Sequence, residues 1–147
     1  MSPEDVPAGP VLVDTDVFSM VHYGKGRCLE FEPFLVGRPL LVSFCTVGEL
    51  RAWGIKHQWG SARKARLESY LNVYTVARPT TAAVNEYAPL HAALHESLKG
   101  GGVNDMWTAA IALALDLPIV TNNLGDFLKI QATEPALAVV HPDIPAR

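Results

Sequence analysis

Asp14, Glu49, Asp105 and the pair Asn123/Asp126 are the points of this 147-residue chain whose types and placement suit chemistry. Each lies close to the end of an apolar run. Asp14 follows Val11-Leu12-Val13, and Glu49 lies just beyond Leu40-Leu41-Val42-Ser43-Phe44. Asp105 opens the apolar run Met106 to Leu115, after the break Gly100-Gly101-Gly102. Thr121-Asn122-Asn123 closes Leu117-Pro118-Ile119-Val120. Buried strands alternating with helices bring such residues to the carboxyl edge of a parallel sheet, where α/β proteins bind ligands. Carboxylates gathered there repel one another and tend to bind protons or cations. Without histidine or cysteine partners, the set suits a hard, oxygen-loving ion, Mg²⁺ or Mn²⁺. Such an ion holds a phosphodiester and lowers the pKa of bound water for attack.

Each acid also has a plainer reading. Glu49 stands three residues after Thr46, which is capping-box spacing. Asp105 suits a helix start as a favourable charge. Asp16 reads as the cap of a short helix, with ligation the alternative. Asp126 reads as a solvated or capping residue, with ligation again the alternative. Asp14, after three apolar residues, is the hardest to reduce to a turn.

The elements that must position these residues follow from the same pattern. Residues 1–10 read as a disordered leader and residues 11–147 as one α/β domain with a mostly parallel sheet. Strands are expected at Val11 to Val13, Leu40 to Phe44, Val73 to Ala77, Leu117 to Val120 and, at a sheet edge, Ala136 to Val140. Helices are expected from Val17 to Tyr23, Arg27 to Val36, Thr46 to about His57, Ser61 to about Tyr70, and from Thr80 or Thr81 to about Leu98. Pro89 should kink or divide the last of these. The helix from Met106 to Leu115 follows, and a turn or short helix spans Gly125 to Ile130.

Composition narrows the function classes. Hydrophobic residues make up 49% and charged residues 18%, as in a compact domain. Net charge is −3 and the pI about 5.9, which argues against a binder of nucleic acid over its whole surface. A local basic surface is still present: Arg51, Lys56, Arg63, Lys64 and Arg66 fall between Leu50 and Leu67 with no acid among them. Trp53 and Trp59 lie in the same stretch and either stack a base or pack the core or a dimer interface. Cys28 and Cys45 lack Cys-x-x-Cys spacing and read as buried free thiols of a reducing compartment. No secretory leader and no membrane span are legible, so the expected place is the cytoplasm. His91 and His95 are four apart but lack the His-Glu-x-x-His pattern and read as ordinary helix residues.

At these residues the sequence resembles the PIN-domain family, and within it the VapC-type toxins of bacterial toxin–antitoxin pairs. Val11-Leu12-Val13-Asp14-Thr15-Asp16-Val17 is similar to the family's opening strand. Ser43-Phe44-Cys45-Thr46-Val47-Gly48-Glu49-Leu50 resembles its Ser-x-x-Thr-x-x-Glu-Leu segment. Asn104-Asp105-Met106-Trp107-Thr108-Ala109-Ala110 and Thr121-Asn122-Asn123-Leu124-Gly125-Asp126-Phe127 resemble its last two segments, in family order. The resemblance implies a flavodoxin-like α/β/α sandwich and a metal-dependent endoribonuclease that hydrolyses a structured RNA (tRNA or rRNA) to leave a 5′-phosphate. It implies Asp14, Glu49 and Asp105 as the acidic ligands of Mg²⁺ or Mn²⁺, and Thr121 as a residue placing water or substrate. Asn123 stands where many members have Asp; it adds no charge, and Asp126 or Asp16 is the candidate to restore one. Arg51, Lys56, Arg63, Lys64 and Arg66 would hold the RNA backbone. The resemblance also implies a homodimer silenced by a VapB-type antitoxin, in a heterotetramer or larger complex.

Two rival readings stand beside it. Asp14-Thr15-Asp16 supplies the Asp-x-Asp of a haloacid-dehalogenase-like phosphatase, and Gly125-Asp126 resembles the late Gly-Asp of that family. Phe18 departs from that pattern, and no second Asp follows Asp126 at the needed spacing. The other rival is a catalytically inactive PIN-like module that binds RNA or protein, for which Asn123 is the support.

Overall fold

The computed structural model describes residues 1–146. Strand β1 (Val11–Val13) leads directly into helix α1 (Thr15–Tyr23), and α2 (Cys28–Phe31) runs on into a 3-10 turn, Glu32–Phe34. Strand β2 (Leu40–Ser43) feeds α3 (Phe44–Lys56), followed by α4 (Ser61–Leu71) and β3 (Thr75–Ala77). Helix α5 (Thr81–Leu94) and α6 (Val103–Leu115) precede β4 (Ile119–Val120), α7 (Leu124–Thr133) and β5 (Val139–Val140).

All the paired strands are parallel, in the order β3-β2-β1-β4-β5. The chain winds outward from β1 through β2 and β3, then returns to the other side of β1 as β4 and β5. The direction reverses between β1 and β4, and this switch point is where doubly wound sheets open a crevice. Period-2 side-chain alternation divides the core between two faces. Val11, Val13, Val42, Val120 and Val140 pack with Phe18, Phe31, Leu50, Leu67 and Leu71 on one side. Leu12, Ile119 and Val139 pack with Leu90, Met106, Ala109, Ile111, Phe127 and Ile130 on the other. The expected α/β/α sandwich is therefore present, and its sheet is wholly parallel. Ala77, Ala109 and Ala112 allow the helices of the second face to approach closely.

Several expectations about individual elements need correction. Residues 1–10, expected as a leader, pack against the domain in this structure. Val6 is buried in the first core face, and the Arg38 guanidinium donates to the carbonyls of Pro7 (2.6 Å), Val6 (3.0 Å) and Gly9 (3.2 Å). The Met1 ammonium donates to the Ile144 carbonyl, tying the start of the chain to its end. An arginine distant in sequence supplies donors the leader lacks by itself. The helix expected from Arg27 to Val36 divides at the 3-10 turn, where Pro33 has no N–H to continue the ladder. The helix after β2 begins two residues earlier than expected. Ser43, not Thr46, is its cap, accepting from the Thr46 N–H at 3.3 Å, so Glu49 has no part in a capping box. Thr80 caps α5, and that helix runs through Pro89 to Leu94. Cys28 and Cys45 are free thiols, half-buried rather than buried. The His91 and His95 rings stack at 4.8 Å where α5 ends, His91 in its last turn and His95 exposed just beyond it.

Gly102 sets where α6 starts. Its φ is +62°, in the left-handed region, and a Cβ there would lie 2.5 Å from Leu98 Cβ. Gly102→Ala therefore combines a left-handed penalty with a clash against a buried leucine. The expected cost is on the order of 2 kcal/mol or more, read as a fall in the urea midpoint. An unchanged midpoint would show that α6 starts without this constraint.

Candidate active site

Asp14 ends β1 and caps α1, accepting from the Thr15 N–H at 2.9 Å. Its other oxygen accepts from the Thr121 hydroxyl at 2.8 Å, and the side chain is only 6% exposed. Asp14 thus holds the cap position expected of Asp16. Asp16 sits inside the first turn, its carboxylate accepting from the N–H groups of Val17 (2.7 Å) and Asn122 (3.4 Å). The second acceptance ties α1 to the loop after β4, across the switch point.

Glu49 projects from α3 and accepts from the Thr15 hydroxyl at 3.4 Å. Thr15 also pairs its hydroxyl with that of Thr46 at 2.9 Å, and Thr46 is fully buried. One hydroxyl pair therefore joins the start of α1 to α3. Asp105 lies in the first turn of α6. The Asn123 side-chain amide donates to Asp105 at 2.9 Å and to Asp126 at 3.2 Å. Asp126 is buried, 4% exposed, and not the solvated residue the sequence suggested. Thr121 accepts from the Asn123 N–H at 3.0 Å, which fixes the turn that carries the amide.

A cleft of about 430 Å³ opens over these groups. Asp14, Asp16, Glu49, Asp105 and Asn123 line it; Thr121 and Asp126 lie beneath, in contact with the lining residues. Burial drives the electrostatics. Asp14 is pushed well above the ordinary carboxyl range, first by burial and then by Asp16 and Asp105. Burial also raises Asp16 and Glu49. Asp105 is pushed up to about 6 by burial, with Asp126, Asp16 and Glu49 adding to it. The Cys45 thiol is pushed up to about 11 by burial and by Glu49, which disfavours its thiolate.

The sequence-chosen acids therefore meet at one edge, but the basic residues do not join them. Arg51 and Lys56 are exposed on α3 and Arg63, Lys64 and Arg66 on α4, and none lines the cleft. Arg51 forms an ion pair at 2.9 Å with Glu68, the residue that follows Leu67. Lys25, Asn104 and Asn122 line the cleft and were not singled out from the sequence. The signal for Lys25 was present: it stands between two glycines that end α1, Gly24 and Gly26, both left-handed.

The donor set is all oxygen, from carboxylates and hydroxyls, which is the chemistry of a hard divalent cation. Among the described residues no three acidic, histidine or cysteine side chains already converge as a ligand sphere. Side-chain rotation would have to complete one. The raised carboxyl pKa values are the repulsion that a cation relieves, so the residues fit such an ion by chemistry. Asn123 has a different part: its NH₂ separates two carboxylates. Replacing it, Asn123→Asp, puts a third negative charge between Asp105 and Asp126 and removes the donor both share. Metal-free stability at pH 7 should fall by about 1–3 kcal/mol, with part restored by Mn²⁺. Thermal unfolding with EDTA and with Mn²⁺ checks this; an equal or higher midpoint in EDTA would count against the clamp.

No helix among the described residues is long and apolar enough to cross a membrane. Among curated proteins nothing matches the chain. Solved structures share its fold. A chain of the VapBC2 complex from Rickettsia felis, bound to a DNA fragment from its promoter, superposes with a TM-score of 0.72 at 20% identity, covering 89% of this chain and 97% of that one. A chain of FitAcB from Neisseria gonorrhoeae gives 0.67 at 24% identity, covering 90% and 97%. A chain of VapBC-5, from a toxin–antitoxin system of Mycobacterium tuberculosis, gives 0.65 at 23% identity, covering 92% and 99%. The PIN domain family profile matches residues 11–132, most of the chain and every acid of the cleft. By that match this chain belongs to the PIN domain family.

Proposed function

We propose that this protein is a VapC-type toxin, a divalent-metal-dependent endoribonuclease, held in check by a VapB-type antitoxin. The observation that carries the reading is the convergence of Asp14, Asp16, Glu49 and Asp105 on one cleft at the switch point, each with its pKa raised by burial. Such a cluster is costly in a folded protein and is retained where a cation or proton does work. The family match and the shared fold with chains of toxin–antitoxin complexes support the same reading.

Asp14, Glu49 and Asp105 would hold Mg²⁺ or Mn²⁺, which when bound polarises the phosphodiester and lowers the pKa of water. The chain's own groups then have distinct tasks. Thr121 and the Thr15 N–H fix Asp14 from two sides. Thr15 fixes Glu49. Asn123 fixes Asp105 and keeps Asp126 beside it without adding charge. Water attacks phosphorus, the bond to the 3′ oxygen breaks, and a 5′-phosphate and a 3′-hydroxyl result. The substrate proposed is a structured RNA such as tRNA or rRNA, reached in the cytoplasm. Arg51, Lys56, Arg63, Lys64 and Arg66 are proposed to contact its backbone outside the cleft. The active form proposed is a homodimer, and with antitoxin a heterotetramer or larger complex.

The test is cleavage of total RNA by purified protein with Mg²⁺ or Mn²⁺, and with EDTA. Discrete metal-dependent products with 5′-phosphates are expected. Folded protein that binds RNA at stoichiometric amounts without cutting it would favour the inactive binding module.

A further inference from the structure

The acidic cleft has a problem as a site for RNA: four carboxylates line it, and the substrate is a polyanion. Some group on the lining must offset that repulsion. Among the described residues Lys25 is the one cation of the lining. Its side chain is exposed and makes no ion pair among the described residues, although acids share the cleft. By contrast Arg27 is held by Glu30 and Asp143, and Arg51 by Glu68.

The turn that carries Lys25 is rigid. Its N–H donates to the Met20 carbonyl at 3.0 Å, and its carbonyl accepts from the Cys28 N–H at 3.2 Å. Gly24 and Gly26 on either side both have positive φ, and a Cβ on Gly26 would meet Met20 Sδ at 3.0 Å. The ammonium is thus presented from a fixed backbone next to the cleft.

Trp53 shares the lining. It lies on α3 four residues after Glu49, on the same face about one turn and about 6 Å further along the axis. Its side chain is 54% exposed, and its ring meets His57 edge-on at 5.5 Å. Leu50 and Met20 form the apolar floor beside it. A large aromatic surface that shares a cleft with a cation and an apolar floor has the chemistry of a nucleotide site: ring for the base, ammonium for the phosphate.

Building on the ribonuclease reading, we infer that Lys25 and Trp53 form a nucleotide subsite next to the scissile bond, Trp53 stacking one unstacked base and Lys25 holding its phosphate. Stacking on Trp53 requires the base to leave its neighbours, so the strand entering the cleft is unpaired there.

The test measures binding and cleavage separately. Binding is read by anisotropy of a 5′-fluorescein single-stranded RNA octamer in EDTA, and of the same strand annealed to its complement. Lys25→Ala and Trp53→Ala should each weaken single-strand binding about tenfold. Trp53→Phe should stay within about threefold of wild type, because a ring remains. Lys129→Ala, a charge removed on α7 outside the cleft, should cost less than Lys25→Ala. The duplex should bind wild type at least about tenfold more weakly than the single strand. With Mn²⁺, KM should rise in the two alanine variants in the same proportion. Equal affinity for duplex and single strand would overturn the subsite. So would alanine variants that lose no more than Lys129→Ala. A Trp53→Ala protein that keeps its RNA affinity but changes its sedimentation would assign the wall to a second copy of the chain and overturn it too. Wild type that binds and discriminates but never cuts with Mn²⁺ would overturn the ribonuclease reading and leave the subsite standing.

Discussion

Asp105→Asn is expected to lower RNA cleavage on the order of 10²–10³-fold while leaving the fold intact. The substitution keeps the shape of the side chain, and the new amide oxygen can still accept from Asn123, which now bonds Asp105 at 2.9 Å. It removes the charge that the proposed ion requires. Asp105 is half-buried in the first turn of α6, with Asp126, Asp16 and Glu49 all close enough to raise its pKa. It is therefore the acid through which the cluster is most connected. The check is single-turnover cleavage with Mn²⁺ beside a far-ultraviolet circular dichroism spectrum. A native spectrum with cleavage within about threefold of wild type would remove Asp105 from the site.

The same substitution should make the metal-free protein more stable at neutral pH. The folded pKa of Asp105 is about 6, above the ordinary 3.8. The folded protein thus holds a proton that the unfolded chain releases. A raised carboxyl contributes its full stabilising effect below pH 3.8 and loses it as pH rises to about 6. Above that window the ionised group opposes folding. The shift corresponds to about 3 kcal/mol, and solvent screening of a half-buried group reduces this to the order of 1–2 kcal/mol. In EDTA at pH 7, Asp105→Asn should therefore melt a few degrees above wild type. The gap should close as pH falls toward 4. Burial lowers His22 and His141, which act in the opposite direction over the same range. Both are present in either protein, so they cancel in the difference. Mn²⁺ should reverse the order, stabilising wild type more than the variant. A variant no more stable than wild type at pH 7 in EDTA would mean the cluster is not strained.

Local pattern carried much of the fold. Apolar runs of three to five residues beside polar residues identified the strands, because a parallel strand buried on both faces has few places for a charge. The same boundaries located Asp14, Glu49 and Asp105, since a strand's carboxyl end and the helix start after it are where polar residues reach solvent. The errors arose where two local solutions were equally available. Ser43 and Thr46 both suit a cap, and only the end of the pairing between β2 and β3, at Ser43 with Ala77, selects Ser43. Residues 1–10 lack hydrophobic periodicity, and their packing depends on Arg38, about thirty residues away.

By itself the sequence determined an α/β chain with three acids and an amide at the sheet's carboxyl edge, because those facts depend on order and polarity along the chain. Tertiary structure alone decided which groups touch. It set Asn123 between Asp105 and Asp126, put Thr121 under Asp14, and buried Asp126. It brought Lys25 and Trp53 into the cleft, and left Arg63, Lys64 and Arg66 outside it. The physical reason is range. Polarity is a property of one residue and its neighbours, whereas a hydrogen bond or a shared cleft requires two loops, here more than a hundred positions apart for Asp14 and Thr121, to be fixed by the same sheet.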